Sequence, residues 1–159
     1  MAVLDVGAVW FHTLALLIAL GYYGILGRVI VPGLERTLSG ADLSNALVAV
    51  ERRALPLVAV SVVLFTVTGT YLLAVDEQYA GLGNFFASTW TTLMLVKHVL
   101  IAVVVALAVA VDRFVRRADR APDEVSRGVA IRRARLAAEA VTGVGALIIL
   151  LTAAAQLEA

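Results

Sequence analysis

The chain has 159 residues, of which 62% are hydrophobic, and its mean hydropathy is +0.95. Ordinary soluble domains are only about 45–50% apolar, so this composition predicts an integral membrane protein. The formal net charge is +1, and every arginine falls within residues 28–53 or 113–135. Basic clusters that flank apolar runs are typical of membrane orientation and argue against nucleic acid as a partner. The chain has no cysteine, which excludes disulfides and thiolate metal sites.

Four apolar runs are long enough to cross a bilayer, a crossing that takes about 20 helical residues. They cover residues 6–31, 54–75, 89–111 and 136–156. An amphipathic segment at residues 41–53, with Leu43, Leu47 and Val50 on one face, precedes the second run. Pro32 and Gly33 predict the end of the first span. We therefore expect an all-α protein, an integral membrane four-helix bundle of up-down-up-down topology that forms a single domain over residues 1–159.

The charges on the turns predict how the bundle is oriented. Four arginines lie within residues 28–53 and eight within residues 113–135, whereas the turn between the second and third runs holds Asp76 and Glu77. Because lysine and arginine collect on the cytoplasmic side, both arginine-rich turns should face the cytoplasm and both termini should face outward. The protein is thus expected to be multi-pass in the lipid bilayer of a prokaryotic inner or plasma membrane. The sequence leaves open whether a lipid-facing stripe forms a homodimer.

Both histidines lie inside predicted spans that run in the same direction. His12 and His98 are about six and nine residues from the outer ends, or roughly 9 and 13 Å deep at 1.5 Å per residue. Ionisable groups are costly in lipid and tend to face the bundle interior or a functional cavity. Two imidazoles at similar depth on different helices are an arrangement that can hold a haem iron axially. A histidine in a membrane helix can equally serve as a hydrogen-bonding contact between helices.

Two neighbours of His98 add to this pattern. Met94 lies one turn before His98 on the same helix face, and a set of His12, Met94 and His98 would suit copper, which accepts imidazole and thioether ligands. Lys97 can receive haem propionates or another anion, or it can extend its ammonium group to the outer headgroups. Arg28 lies near the inner end of the first span, where extension towards the headgroups explains it. Small residues along the first, second and fourth runs let helices approach closely or leave space for a cofactor.

Several segments resemble a known family. They are His12 with Gly21-Tyr22-Tyr23-Gly24 and Val29-Ile30-Val31-Pro32, then Thr66-Val67-Thr68-Gly69, and then Leu95-Val96-Lys97-His98. Together they resemble the copper-resistance protein D (CopD) domain. His12, Arg28 and Lys97 also resemble positions in the related HemJ-type protoporphyrinogen oxidases, which have four-helix cores. That resemblance implies haem binding and porphyrin redox chemistry, with Arg28 among the cofactor-binding residues.

Three functions follow from these residues. The first is a haem b protein, with the haem between His12 and His98, that transfers electrons or acts as a membrane oxidoreductase on a quinone or a porphyrin. The second binds copper or transports it across the membrane through His12, Met94 and His98. The third is a structural membrane subunit whose polar residues serve packing alone. The sequence favours the haem protein, and it predicts no particular catalytic residue.

Overall fold

The structure, a computed structural model, describes residues 3–76, 86 and 88–157. Its elements are α1 (Val3–Ile25), a π-helical turn (Leu26–Ile30), α2 (Val31–Glu35), α3 (Gly40–Val75), α4 (Thr89–Asp119) and α5 (Glu124–Leu157). Four helical stretches are long and apolar enough to cross a membrane, namely Val3–Glu35, Gly40–Val75, Thr89–Asp119 and Glu124–Gln156. Within the described residues there is no strand. The prediction of an all-α, four-helix membrane protein is confirmed.

The long helices pack as a bundle in which each one has two main neighbours. Helix α1 contacts α3 and α5, and α4 contacts the same two helices from the other side. Many large apolar side chains point away from the bundle, including Leu17, Val60 and Leu150, which are 58%, 63% and 65% exposed. An apolar exterior of this extent is the surface expected of a protein in contact with lipid.

The tightly packed core lies at the arginine-rich end of the bundle. Its buried side chains come from all four long helices and from α2, and they include Tyr23, Leu26, Val31, Leu43, Leu47, Val58, Val111, Val115, Ala118, Ala134, Ala138 and Val141. Towards the opposite end the buried residues are more widely spaced, with Ala15, Trp90 and Ile148 among them. Both histidines belong to this more loosely packed half.

The first span continues past Pro32, so the prediction that it ends there is wrong. Proline has no N–H to donate to the carbonyl four residues earlier, and its ring crowds that carbonyl. The helix accommodates this by widening into the π-helical turn Leu26–Ile30 and then resumes as α2, which has Pro32 in its first turn. Gly27 in the π-helical turn packs against α5, where a Cβ atom would lie 3.1 Å from Glu139 Cγ.

The amphipathic segment predicted at residues 41–53 is the first part of α3 rather than a separate element. The chain enters α3 at Gly40, whose φ of +54° favours glycine. Leu43, Leu47 and Glu51 are all buried, and their four-residue spacing places them on one face of the helix. Of the apolar face predicted for this segment, Leu43 and Leu47 are buried and Val50 is half-buried, and the buried positions continue to the carboxyl group of Glu51.

Small residues bring α1 and α5 close together. Gly145 of α5 packs directly against the Leu20 side chain of α1, which occupies the space that a Cβ atom would need. Gly24 of α1 lies beside Thr142, where a Cβ atom would be 3.4 Å from the threonine Oγ1. At these positions the small residues permit close helix packing, one of the two roles considered from the sequence.

Candidate functional site

His12 of α1 lies against α3. Its Nδ1 is 3.1 Å from the backbone carbonyl oxygen of Phe65 and 3.1 Å from Thr68 Oγ1. The imidazole stacks on the Phe65 ring, with 4.1 Å between the ring centroids and an interplanar angle of 22°. Gly69 makes room for the ring, because a Cβ atom there would lie 2.9 Å from His12 Cε1. Three neighbouring features of α3 therefore fix the position of one imidazole.

The hydrogen bonds of His12 also fix which ring nitrogen carries the proton. The carbonyl oxygen of Phe65 can only accept, so Nδ1 must donate. The Thr68 hydroxyl donates its own proton to the Leu64 carbonyl oxygen at 2.7 Å, which leaves its oxygen to accept from Nδ1. In the neutral imidazole, Nε2 then has a free lone pair. This is how metal-binding histidines are commonly held, with the other ring nitrogen donating to a backbone carbonyl.

His98 occupies a different surface. It is exposed on α4, and its Nδ1 donates to the backbone carbonyl oxygen of Met94 at 2.6 Å. Its Nε2 is therefore also available as a ligand. The described contacts of His12 are to α3, whereas His98 lies on the exposed side of α4. The structure does not bring the two imidazoles into contact.

Lys97 of α4 interacts with His12. Its partly buried ammonium group interacts electrostatically with the His12 ring and with the Asp76 carboxylate at the end of α3. Met94 is three residues earlier, and side chains three apart are neighbours on a helix surface. Met94 is partly buried and lies one turn before both Lys97 and His98, so it stands between the side of α4 that carries Lys97 and the exposed side that carries His98.

Arg28 is remote from this site. It lies in the π-helical turn and is exposed. Sixteen residues separate it from His12, which corresponds to roughly 24 Å along a helix. Arg28 is thus at the arginine-rich end of the bundle, and the structure does not bring it together with His12, Met94 or Lys97.

The described residues contain no group of three or more histidine or carboxylate side chains that could hold a metal ion. Two surface clefts among the described residues lie apart from each other: one is beside Val3, Val6 and Trp10, and the other is among the arginines of α4 and α5. Neither cleft is lined by a histidine. The region around His12 therefore combines one oriented imidazole with the Lys97 ammonium and the Met94 thioether on α4.

Some residues of this region were not predicted from the sequence. Phe65 supplies both a ring and a carbonyl to His12, and the spacing of Phe65, Thr68 and Gly69 at i, i+3 and i+4 is the signal that they share a face.

Glu51, at the arginine-rich end of the bundle, was also not predicted. It is 7% exposed and interacts electrostatically with Asp112 and Arg116. Glu51 follows the buried Leu43 and Leu47 at the same four-residue spacing, and this spacing could have indicated its burial.

The bundle and its oriented intramembrane histidine define a multi-pass membrane protein with a polar site inside its apolar helices. A family model, Copper resistance protein D, matches residues 48–155, which is more than half of the chain. The chain belongs to the copper resistance protein D family, as its sequence motifs predicted. The matched part includes Met94, Lys97 and His98, whereas His12 and Arg28 precede it. No curated protein and no solved structure matches the chain significantly, and the relation to HemJ-type oxidases stays a prediction.

Proposed function

We propose that the protein binds copper within the membrane and that His12 Nε2 is its principal ligand. The observation that carries this proposal is the donation from His12 Nδ1 to the Phe65 carbonyl at 3.1 Å. That bond holds the ring in one orientation and leaves Nε2 as a free donor atom. Membership of a family described as copper resistance protein D supports copper as the ion.

Met94 is the proposed second ligand. Its thioether is a soft donor that favours Cu(I), and imidazole also binds copper. Met94 lies one turn before Lys97, which interacts with the His12 ring. His98 lies on the exposed surface of α4, so we assign it a weaker, peripheral role at most. Copper here is the cargo of the protein and not a resident catalytic cofactor.

Lys97 sets the electrostatic conditions of the proposed site. A copper ion at His12 would be repelled by the Lys97 ammonium, and the Asp76 carboxylate offsets part of that repulsion. A like charge beside the ligands lowers the affinity for a cation. Such a site suits a protein that takes up and releases copper better than one that stores it.

Haem b has no comparable support. A haem between His12 and His98 would require both imidazoles to face one cavity, whereas His98 lies on the exposed side of α4. No contact of the described residues favours a quinone, a porphyrin or a homodimer. The packing role remains the alternative if copper does not bind, and with four apolar helices the protein meets the lipid bilayer in either case.

A competition titration with a chromophoric Cu(I) chelator tests the proposal on the detergent-purified protein. We expect His12→Asn to weaken Cu(I) binding by at least about tenfold, equivalent to about 1.4 kcal/mol. Met94→Leu, which conserves volume, should weaken it by a smaller factor. The matched control His98→Asn should change the affinity by less than about threefold. Equal affinities for wild-type and His12→Asn proteins would rule out His12 as the ligand.

A further inference from the structure

The connection between α4 and α5 forms a cleft that the copper site does not use. It has a volume of about 510 Å³ and lies at the arginine-rich end of the bundle. Five of its lining residues are arginines: Arg113, Arg116, Arg117, Arg120 and Arg133. Such a concentration of guanidinium groups around one cleft creates a strongly positive potential that attracts an anion.

Most of these arginines have no carboxylate partner. Arg116 is held by Asp112, with 2.8 Å between Arg116 Nη2 and Asp112 Oδ1. The side chains of Arg113, Arg120 and Arg133 make no hydrogen bond or ion pair within the residues that the structure describes. The cleft therefore carries positive charge that the neighbouring acidic residues do not neutralise.

The walls of the cleft are partly apolar. Phe114 and Val129 line it together with the arginines, and the Phe114 ring lies 5.7 Å from the Arg117 guanidinium carbon. Val129 is 47% exposed, and nearby Val125 is 79% exposed. An anion that fits this cleft should accordingly have an apolar portion beside its charged group, which free phosphate lacks.

The depth of the cleft matches the headgroup layer of a bilayer. The apolar run of α4 ends near Val111 and that of α5 begins near Leu136. At 1.5 Å per residue, Arg113 and Arg133 lie about 3 to 5 Å beyond these points. The headgroup layer is roughly 5–8 Å thick on each side of the hydrocarbon core. The two arginines are thus at the depth at which lipid phosphates lie.

From these four observations, we propose that the cleft between α4 and α5 binds an anionic phospholipid. Arg113 and Arg133 bind the phosphate through charge-assisted hydrogen bonds, for which the planar guanidinium is well suited, and Arg120, farther along the cleft, adds to its positive potential. Phe114 contacts the glycerol and the first methylene groups, from which the acyl chains continue into the bilayer. Basic pockets between membrane helices are known to bind lipid headgroups in this way. The site is independent of the copper proposal.

Native mass spectrometry of the detergent-purified protein with added phosphatidylglycerol tests this proposal. We expect one saturable bound lipid in the wild-type protein, and at least about tenfold weaker binding after the combined changes Arg113→Gln, Arg120→Gln and Arg133→Gln. The matched control replaces Arg36, Arg52 and Arg53 with glutamine. These are exposed arginines outside the cleft, so the control should bind within about threefold of wild type.

Two further binding measurements distinguish an anionic phospholipid from other phosphate compounds. Phosphatidylcholine should not occupy the site, and millimolar inorganic phosphate should not displace phosphatidylglycerol. Displacement by inorganic phosphate, equal binding of both lipids, or an equal loss in the control variant would each overturn the proposal. If the triple variant does not fold, as judged by circular dichroism, the single change Arg133→Gln replaces it. That change should weaken binding by about threefold, and unchanged binding would contradict the proposal.

Discussion

His12 and Phe65 form a double contact between α1 and α3. The Phe65 carbonyl accepts from His12 Nδ1 at 3.1 Å, and the Phe65 ring stacks on the imidazole with 4.1 Å between centroids. One residue thereby fixes both the tautomer and the plane of the histidine. This pre-orientation matters because a ligand that is already held in place loses less conformational entropy when it binds an ion.

Gly69→Ala tests whether the close fit of the imidazole on α3 is required. The added Cβ would lie 2.9 Å from His12 Cε1, so the imidazole must shift from its present position. We expect a loss of about 1–3 kcal/mol in the free energy of unfolding, together with weaker Cu(I) binding in the chelator titration. Gly143→Ala is the matched control, because a Cβ there meets nothing within 4 Å. If both variants behave alike, the contact with Gly69 has no role in positioning His12.

Lys97→Leu, which removes the charge without adding a copper ligand, tests the electrostatic account of the site and separates it from the haem hypothesis. Removing the positive charge near His12 should raise the Cu(I) affinity about three- to tenfold, equivalent to 0.7–1.4 kcal/mol. A lysine that receives haem propionates predicts the opposite, a loss of cofactor on the same substitution. Lys97→Arg, which keeps the charge, serves as the control and should leave the affinity near that of wild type. A fall in copper affinity for Lys97→Leu would contradict the repulsion that we describe.

The contact between Leu20 and Gly145 can be measured with a double-mutant cycle. Gly145→Ala places a Cβ against the Leu20 side chain and should lower the free energy of unfolding by about 1–3 kcal/mol. In the background of Leu20→Ala the same change meets a shorter side chain, so its cost should fall. We expect a coupling energy of about 0.5–3 kcal/mol from denaturant titrations in detergent. A purely additive result would show that the two residues do not limit the approach of α1 and α5.

The start of α5 should depend on pH through Asp123. Its carboxylate accepts from the Ser126 backbone N–H at 2.8 Å and from the Ser126 hydroxyl at 2.9 Å. These hydrogen bonds from Ser126 lower the pKa of Asp123 below its usual value of 3.8. A lowered folded-state pKa gives stability that is present above pH 3.8 and is lost as the pH falls through the folded-state value.

Melting temperatures of Asp123→Ala and wild type, compared between pH 7 and pH 3 or below, measure this effect. The variant should melt at a lower temperature at pH 7, and the difference should shrink as the pH falls through the lowered pKa. Glu124→Ala, a neighbouring carboxylate, is the control. A difference in melting temperature between Asp123→Ala and wild type that is constant with pH would exclude a contribution from ionised Asp123.

Much of the fold could be predicted from the sequence because the hydrophobic effect dictates it. Four apolar runs of sufficient length predict four spans, and the spacing of Leu43, Leu47 and Val50 predicts an apolar face, on which Leu43 and Leu47 are buried. The end of the first span could not be predicted from Pro32, because whether a chain stops at proline or widens into a π-helical turn depends on the packing that follows. Gly27 against Glu139 of α5 is the tertiary contact found at that turn.

The candidate site was less predictable because it too depends on how the helices pack against one another. From Val99 to Val111 the run that carries His98 is apolar on every side, so this stretch has no amphipathic pattern to indicate which face meets the bundle. The sequence predicts a depth for His98 similar to that of His12 but does not reveal that His98 is exposed. The partnership of His12 with Phe65 depends on how α1 and α3 meet, and no local sequence signal determines that.

Elemental analysis, combined with an absorption spectrum of the same detergent-purified sample, tests the central claim most directly. The protein should be prepared from cells supplied with copper, beside a His12→Asn sample prepared identically. We predict about one copper per wild-type chain, much less in the variant, and no Soret band in either. Stoichiometric iron with a Soret band would contradict the copper account in favour of haem, and wild-type protein without any metal would contradict both.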